Sequence, residues 1–240
     1  MRTNHSISHR SAILLFVRDD REESRLKPLP SIGRAGGLGY RRLNRAIAGR
    51  LAPLRSDGVD LIVATTGSST VAEGAHVLRQ RGDDFGARIT NALDDAFALG
   101  YDHVVVVGND APAIAADDVR LAFDTLAAGA SVVAAPTIDG GAFLIGAARE
   151  RFDRDTLRSL PWQTSALFAA IGSLSGSITL PIRRPDFDSW LEPSALRELA
   201  ILLAATSPIL TPILPSVLLH VDGRHKERTR PHMPAPPSLR

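Results

Sequence analysis

Short β-branched and apolar runs recur along this chain, separated by longer stretches with helical spacing. The runs are Ala12 to Val17, Val59 to Ala64, His103 to Val107, Ser131 to Ala135, Ala142 to Ile145 and Ile178 to Ile182. Between them, Leu38 to Leu54, Phe85 to Leu99, Ala115 to Ala128, Thr164 to Ile171 and Pro193 to Ala204 have the spacing or the composition of helices. Ile89, Leu93, Ala96 and Phe97 recur at three and four residues, which turns one face of that helix to a sheet. Alternation of this kind predicts βαβ units and a mainly parallel sheet. The charged, Pro- and Gly-containing segment from Arg18 to Gly39 reads as a long loop leaving the first strand, and such loops at strand carboxyl ends are where α/β sheets bind ligands.

From about Thr206 onward, proline and basic residues replace periodicity. The expected organisation is a short N-terminal segment (1–10), one domain (11–205) and an irregular Pro-rich basic tail (206–240). Leu199 to Leu219 carries no charge over about 21 residues, the length of a membrane span, but Pro208, Pro212 and Pro215 would interrupt a helix repeatedly. No membrane span is expected, and the first apolar run is too short for a signal peptide core. The expected location is cytoplasmic.

With 240 residues, 44% hydrophobic, the chain is long enough to bury one good core. The net charge of +2 rests on the tail, since His220 to Arg240 holds five Lys/Arg against two Asp/Glu, leaving about −1 for the rest. A nucleic-acid partner is therefore not expected: with 5% aromatic residues the body offers neither a basic stripe nor a stacking platform. The absence of cysteine excludes disulfides, thiolate metal sites and cysteine nucleophiles.

Four consecutive valines, Val104 to Val107, run into Gly108-Asn109-Asp110-Ala111-Pro112, placing a carboxylate just past a buried strand. Asp110 there could hold Mg²⁺ or Mn²⁺, which takes one or two protein carboxylates and fills its shell with water and phosphate oxygens. It could equally cap the next helix or make an Asx-turn before Pro112. Asp186 and Asp188 follow the last predicted strand at period-two spacing, on one side of an extended segment, and either could complete the shell or cap the last helix. Asp139-Gly140-Gly141 joins a loop to an apolar strand; the glycines allow close backbone approach to a ligand or simply a tight turn, and Asp139 could act as a base.

Several common motifs are excluded. Gly37-Leu38-Gly39 lacks the third glycine of a dinucleotide fingerprint, Gly67-Ser68-Ser69-Thr70 lacks a P-loop lysine, and Leu174 occupies the centre of Gly172-Ser173-Leu174-Ser175-Gly176 where a nucleophile elbow needs serine. The seven histidines show no metal-ligand spacing.

In order and spacing, these motifs resemble the bacterial GT-A-fold transferases of domain of unknown function 2064, associated with radical-SAM/selenodomain or arsenosugar-biosynthesis glycosyltransferases. The resemblance runs from about Ala12 to Leu199. It rests on Ser24-Arg25-Leu26, Gln80 with Gly82-Asp83-Asp84-Phe85-Gly86-Ala87-Arg88, Gly108-Asn109-Asp110-Ala111-Pro112 and Asp139-Gly140-Gly141. Phe143-Leu144-Ile145-Gly146, Trp162-Gln163-Thr164 and Asp186-Phe187-Asp188-Ser189 complete it. It implies a GT-A three-layer α/β sandwich with a seven-stranded, mostly parallel, Rossmann-like sheet, binding a nucleotide-sugar and a small-molecule acceptor. By that analogy Asp110 and Asp188, with Asp186 as a further candidate, hold Mg²⁺ or Mn²⁺. Arg25, Lys27, Arg88 and Asn109 lie near phosphate, Gly140, Gly141, Trp162 and Thr164 near the sugar or base, and Asp139 is the candidate base. A nucleotidyltransferase on the same metal site, or a nucleotide-binding scaffold with impaired chemistry, are the alternatives. Glu23 stands where the family usually has the lysine of Lys-Thr-Arg-Leu, with Arg21 and Lys27 the nearest cations to replace it, and Ala142 stands where an aromatic usually follows the glycines.

Overall fold

The computed structural model describes residues 9–27, 38–67, 71, 74–138 and 140–184. Asp139, Asp186, Asp188, the predicted helix from Pro193 to Ala204 and the tail 206–240 lie outside the described residues.

Among the described residues, seven strands form one sheet: β1 (Ser11–Val17), β2 (Val59–Thr65), β3 (His76–Arg79), β4 (His103–Val107), β5 (Val132–Pro136), β6 (Ala142–Ala148) and β7 (Ser177–Thr179), in the order β3-β2-β1-β4-β6-β5-β7. β1 is parallel to β2 and β4, β2 to β3, and β5 to β7. Only β6 is reversed, antiparallel to both β4 and β5. Its direction follows from its loop: the five residues 137–141 close a hairpin, with Thr137 N donating to Gly141 O at 3.0 Å, and cannot contain the crossover that a parallel partner requires.

Alternation along the strands divides the core between the two faces. From β1, Ile13, Leu15 and Val17 join Val105 and Val107 of β4 on one face, covered by α2 (Leu38–Leu51) through Leu43, Ile47 and Leu51 and by α4 (Ala116–Ala127) through Val119, Phe123 and Leu126. Ala12, Leu14, Val104 and Val106 point to the other face, where α3 (Phe85–Ala98) packs with Ile89, Leu93, Ala96 and Phe97 beside Leu157 of α5 (Arg154–Arg158) and Ile171 of α6 (Leu167–Gly172). The result is the three-layer α/β sandwich expected.

Two local expectations need correction. The segment after β1 is not simply a loop: α1 (Asp20–Leu26) starts there, capped by Asp19, whose side chain accepts from Arg21 N and Glu22 N. It has no apolar period to reveal it, because it is held by its cap and by polar contacts. β3 was not foreseen either, being a four-residue, largely exposed edge strand without clear alternation.

Candidate functional site

The chain lays down β1, β2 and β3 towards one edge and then crosses to place β4 on the other side of β1. At such a reversal of strand order the helices above the carboxyl ends diverge and leave a crevice. A cleft of about 260 Å³ opens there, walled by the ends of β1 (Phe16 to Arg18) and β4 (Gly108 to Ala111), the start of β6 (Gly141 to Ile145), α1 (Glu23 and Lys27), α3 (Phe85 and Arg88) and the loop from Trp162 to Ser165.

Asp110 sits just beyond β4, its side chain 44% exposed, and Lys27 Nζ donates to its Oδ1 at 3.2 Å. Glu23, one helical turn before Lys27, is only 3% exposed and is held by Arg18, whose Nη1 donates to Oε2 at 3.0 Å and Oε1 at 3.3 Å. Glu23 is thus neutralised inside the wall by a cation at the end of β1. Arg21 does not take this part, and neither does Arg25: both are exposed and absent from the cleft wall. On a helix, Arg25 lies about 200° around from Glu23, so the face that turns Glu23 and Lys27 inward turns Arg25 out.

Beneath Asp110 the polar contacts are buried. Asn109 Nδ2 donates to Asn44 Oδ1 at 3.0 Å, Asn44 Nδ2 to Asp20 Oδ1 at 3.0 Å, and Arg41 Nε to Asp20 Oδ2 at 3.2 Å. Burial pushes the Asp20 carboxyl above its ordinary value, against the lowering effect of Arg41 and Asn44. The chain of contacts ties α1 and α2 to the end of β4.

Arg88 lines the cleft from the first turn of α3, 5.9 Å above the Phe85 ring, and its Nε is buried without a partner among the described residues. Gln80, also in the wall, donates through Nε2 to Val17 O at 2.9 Å and Ala64 O at 3.0 Å, which leaves its buried Oε1 unpaired among those residues. Buried polar atoms without partners are costly in a folded protein and here both border the cleft.

Phe16, Phe85 and Trp162 form an aromatic series, with ring centroids 5.6 Å and 5.4 Å apart. Trp162 spends its ring N–H on Leu157 O at 2.9 Å, so it offers the cleft a ring surface rather than a donor. Thr164 lines the cleft but donates its hydroxyl to Pro161 O at 2.7 Å. Gly86 is required by packing: a Cβ there would lie 2.3 Å from Arg158 O.

The paired glycines separate in role. Gly141 lines the cleft, whereas Gly140, at φ +96°, is turned to the Trp162 to Ser165 loop, where a Cβ would meet Ser165 O at 2.6 Å. Gly140 therefore serves loop packing rather than a ligand. Ala142 also lines the cleft. Sequence reasoning missed Arg18, Gln80 and Asn44 as functional candidates. It also missed Gln163, a cleft residue at φ 61°, a backbone conformation that side chains rarely adopt and that no sequence signal announces.

Asp110 is a hard oxygen donor, suited to Mg²⁺ or Mn²⁺. Among the described residues no three His, Cys, Asp or Glu side chains converge on a metal position. Arg184, two residues before Asp186, is fixed at the cleft margin: it bridges to Thr137, a cleft residue, and grips Asp118 with Nη2 at 2.8 Å and Nε at 3.1 Å. Among those residues no helix is long and apolar enough to cross a membrane.

Residues 54–164 match the family described as "Uncharacterized protein conserved in bacteria (DUF2064)". No curated protein matches the sequence. Among solved structures, the chain is similar to a protein of Desulfovibrio desulfuricans G20 provisionally described as a nucleotide-diphospho-sugar transferase. The two share 20% identity and a TM-score of 0.70, over 89% of this chain and 98% of that one. A cytidylyltransferase of Leptospira borgpetersenii serovar Hardjo-bovis aligns over 95% of this chain and all of its own, at 14% identity and a TM-score of 0.50. A homologue of Rv0371c from Mycobacterium sp. strain JC1 gives 17% identity and a TM-score of 0.50, over 82% and 96%. At these identities the likeness is one of fold.

Proposed function

For a chain that carries the DUF2064 pattern on a GT-A-type α/β fold, we propose a transferase that takes a nucleotide-sugar, with a divalent cation, and passes the sugar to a small-molecule acceptor. The observation that carries the reading is the convergence, in one switch-point cleft, of a strand-end carboxylate, Asp110, with the cations Lys27 and Arg88. A nucleotide diphosphate presents the complementary pattern: negative phosphates for the cations, and oxygens that share a metal ion with the carboxylate.

The cation, when bound, supplies charge that stabilises the departing diphosphate. Asp110 is the ligand we assign to it, with Asp188 and Asp186 as further ligands. Four residues of chain reach at most about 14 Å, so both acids can return to the cleft from Arg184. Lys27 and Arg88 hold the phosphates, Arg88 through a guanidinium whose Nε is already dehydrated. Gly141, Trp162 and the loop to Thr164 bound the sugar's side of the cleft and exclude water. Asp139, whose neighbours Thr137 and Gly141 line the cleft, is the candidate to take the acceptor's proton.

Pairing of Glu23 with Arg18 argues against a scaffold with lost chemistry, because it removes the acid's repulsion of phosphate. A nucleotidyltransferase is the second reading, favoured by the full-length alignment of the cytidylyltransferase fold. A thermal-shift screen of nucleotide-sugars and nucleoside triphosphates, with and without Mn²⁺, tests both. A ligand at a hundred times its Kd adds about 2.7 kcal/mol, or roughly 5–10 °C at this size. Product analysis of the stabilising ligand then separates sugar transfer from nucleotidyl transfer. If no nucleotide stabilises the protein, both readings fail.

A further inference from the structure

The buried amides below the cleft set the polarity of its floor, an inference that rests on the function proposed above. Asp20 accepts from Asn44 on one oxygen and from Arg41 on the other, so it stands as a carboxylate and has no donor to offer. Asn44, 1% exposed, must therefore turn its NH₂ group to Asp20 and its carbonyl the other way, where it accepts from Asn109. Rotating the Asn44 amide would set oxygen against carboxylate at one end and NH₂ against NH₂ at the other, breaking both bonds inside the protein.

Asn109, 5% exposed, is fixed in its turn. Its nitrogen is committed to Asn44, and no described residue donates to its Oδ1. Asn109 lines the cleft beside Asp110.

We infer that Asp20, Asn44 and Asn109 form a direction lock in which Asn44 is a positioning residue and Asn109 presents an acceptor, so that Asn109 receives a hydroxyl of the nucleotide-sugar and not a phosphate oxygen. An ionised phosphate oxygen is itself an acceptor and gains nothing from a carbonyl. This revises the expectation that Asn109 belongs with the phosphate ligands; Lys27 and Arg88 carry that part. It also gives the buried acid at position 20 a role: an asparagine there, its oxygen held by Arg41, would turn NH₂ to Asn44 and reverse the chain.

The substitution Asp20→Asn is the test, because it keeps the size while Arg41, a donor only, holds the amide oxygen and turns the NH₂ to Asn44, which reverses the direction of the chain. In the full chain, side-chain amide NMR is expected to show one set of Asn44 and Asn109 resonances in the wild type, and a set at clearly different shifts in the variant, as both amides turn over. UDP-glucose with Mn²⁺ should bind the variant at least twofold more weakly, since the reversed chain turns the Asn109 NH₂, not its carbonyl, to the sugar hydroxyl. Pyrophosphate with Mn²⁺, which has the phosphates and no sugar hydroxyl, should bind both proteins alike. The double substitution Asp20→Asn with Asn44→Asp moves the acid to the middle of the chain, where it accepts from both neighbours, and should restore the wild-type Asn109 resonance and the UDP-glucose affinity. A merely structural role would lower the melting temperature without this selective loss and rescue.

Equal loss of UDP-glucose and pyrophosphate, or unchanged amide resonances in Asp20→Asn, overturns the inference. If Asp20→Asn does not fold, the double variant decides alone, by recovering the wild-type resonance and affinity or failing to. If UDP-glucose does not bind the wild type, the nucleotide-sugar found by the stability screen replaces it. Where none binds, the functional reading has failed, and the amide resonances still judge the lock.

Discussion

Arg18→Ala is expected to destabilise the protein far more than an ordinary surface substitution, because it leaves Glu23 charged inside the cleft wall. The Arg18 and Glu23 side chains are 22% and 4% exposed, with their charged atoms 3.0 Å apart. Two unit charges at that distance attract by about 5 kcal/mol at an effective dielectric of about 20, an attraction that dehydrating them largely offsets. Breaking a buried pair costs about 3–5 kcal/mol; with Arg18 partly solvated, about 2–3 kcal/mol is the expected loss, a melting temperature lower by roughly 4–12 °C. The measurement is a double-mutant cycle by urea unfolding of wild type, Arg18→Ala, Glu23→Ala and the double variant. Each single variant should lose more than the double variant's packing accounts for, with a coupling energy of about 1.5 kcal/mol or more. A coupling below about 0.5 kcal/mol would refute the reasoning, making the contact one more weak surface pair. Glu23→Lys should destabilise as well, since it sets a second cation against Arg18.

Asp110→Asn should abolish Mn²⁺-dependent nucleotide binding in calorimetric titration while moving stability by less than about 1 kcal/mol, because its pair with Lys27 is half exposed; loss of the fold would show Asp110 to be structural. Gly86→Ala drives a methyl group into Arg158 O and Trp162. A cost of about 1–3 kcal/mol or more is expected, read as a lower urea midpoint, with weaker nucleotide affinity as the Trp162 wall shifts. His103 is buried, and burial holds its pKa below the ordinary value of 6.5, with His9 stacked beside it adding to the effect. The unfolded chain then binds more protons than the folded one as pH falls below about 6.5, so the neutral ring's contribution is present above that pH and is lost as pH falls through the folded pKa. His103→Asn should flatten this part of the curve of melting temperature against pH; an identical slope in both proteins would contradict it.

The repeating hydrophobic pattern was enough to determine the layered α/β architecture. Strand alternation and helical spacing report which faces must leave water, and that depends on local order along the chain. Six of the seven strands and the helices α2, α3, α4 and α6 could be read this way, while α5 and the antiparallel setting of β6 came only from the structure. Position at a strand's end likewise brought Asp110 forward from sequence, and the resemblance added Lys27, Arg88 and Trp162 to the neighbourhood of the same cleft. The tertiary structure alone decided which neighbours in sequence face one another. Helix α1 has no apolar period, so its inward face, with Glu23 and Lys27 turned in and Arg25 turned out, depends on Asp19 capping it and on Asn44 gripping Asp20 from another helix. The orphaned atoms of Gln80 and Arg88 and the direction imposed on Asn109 arise between segments up to 65 residues apart. Hydrogen-bond polarity and burial are properties of such meetings, and no single stretch of sequence contains them.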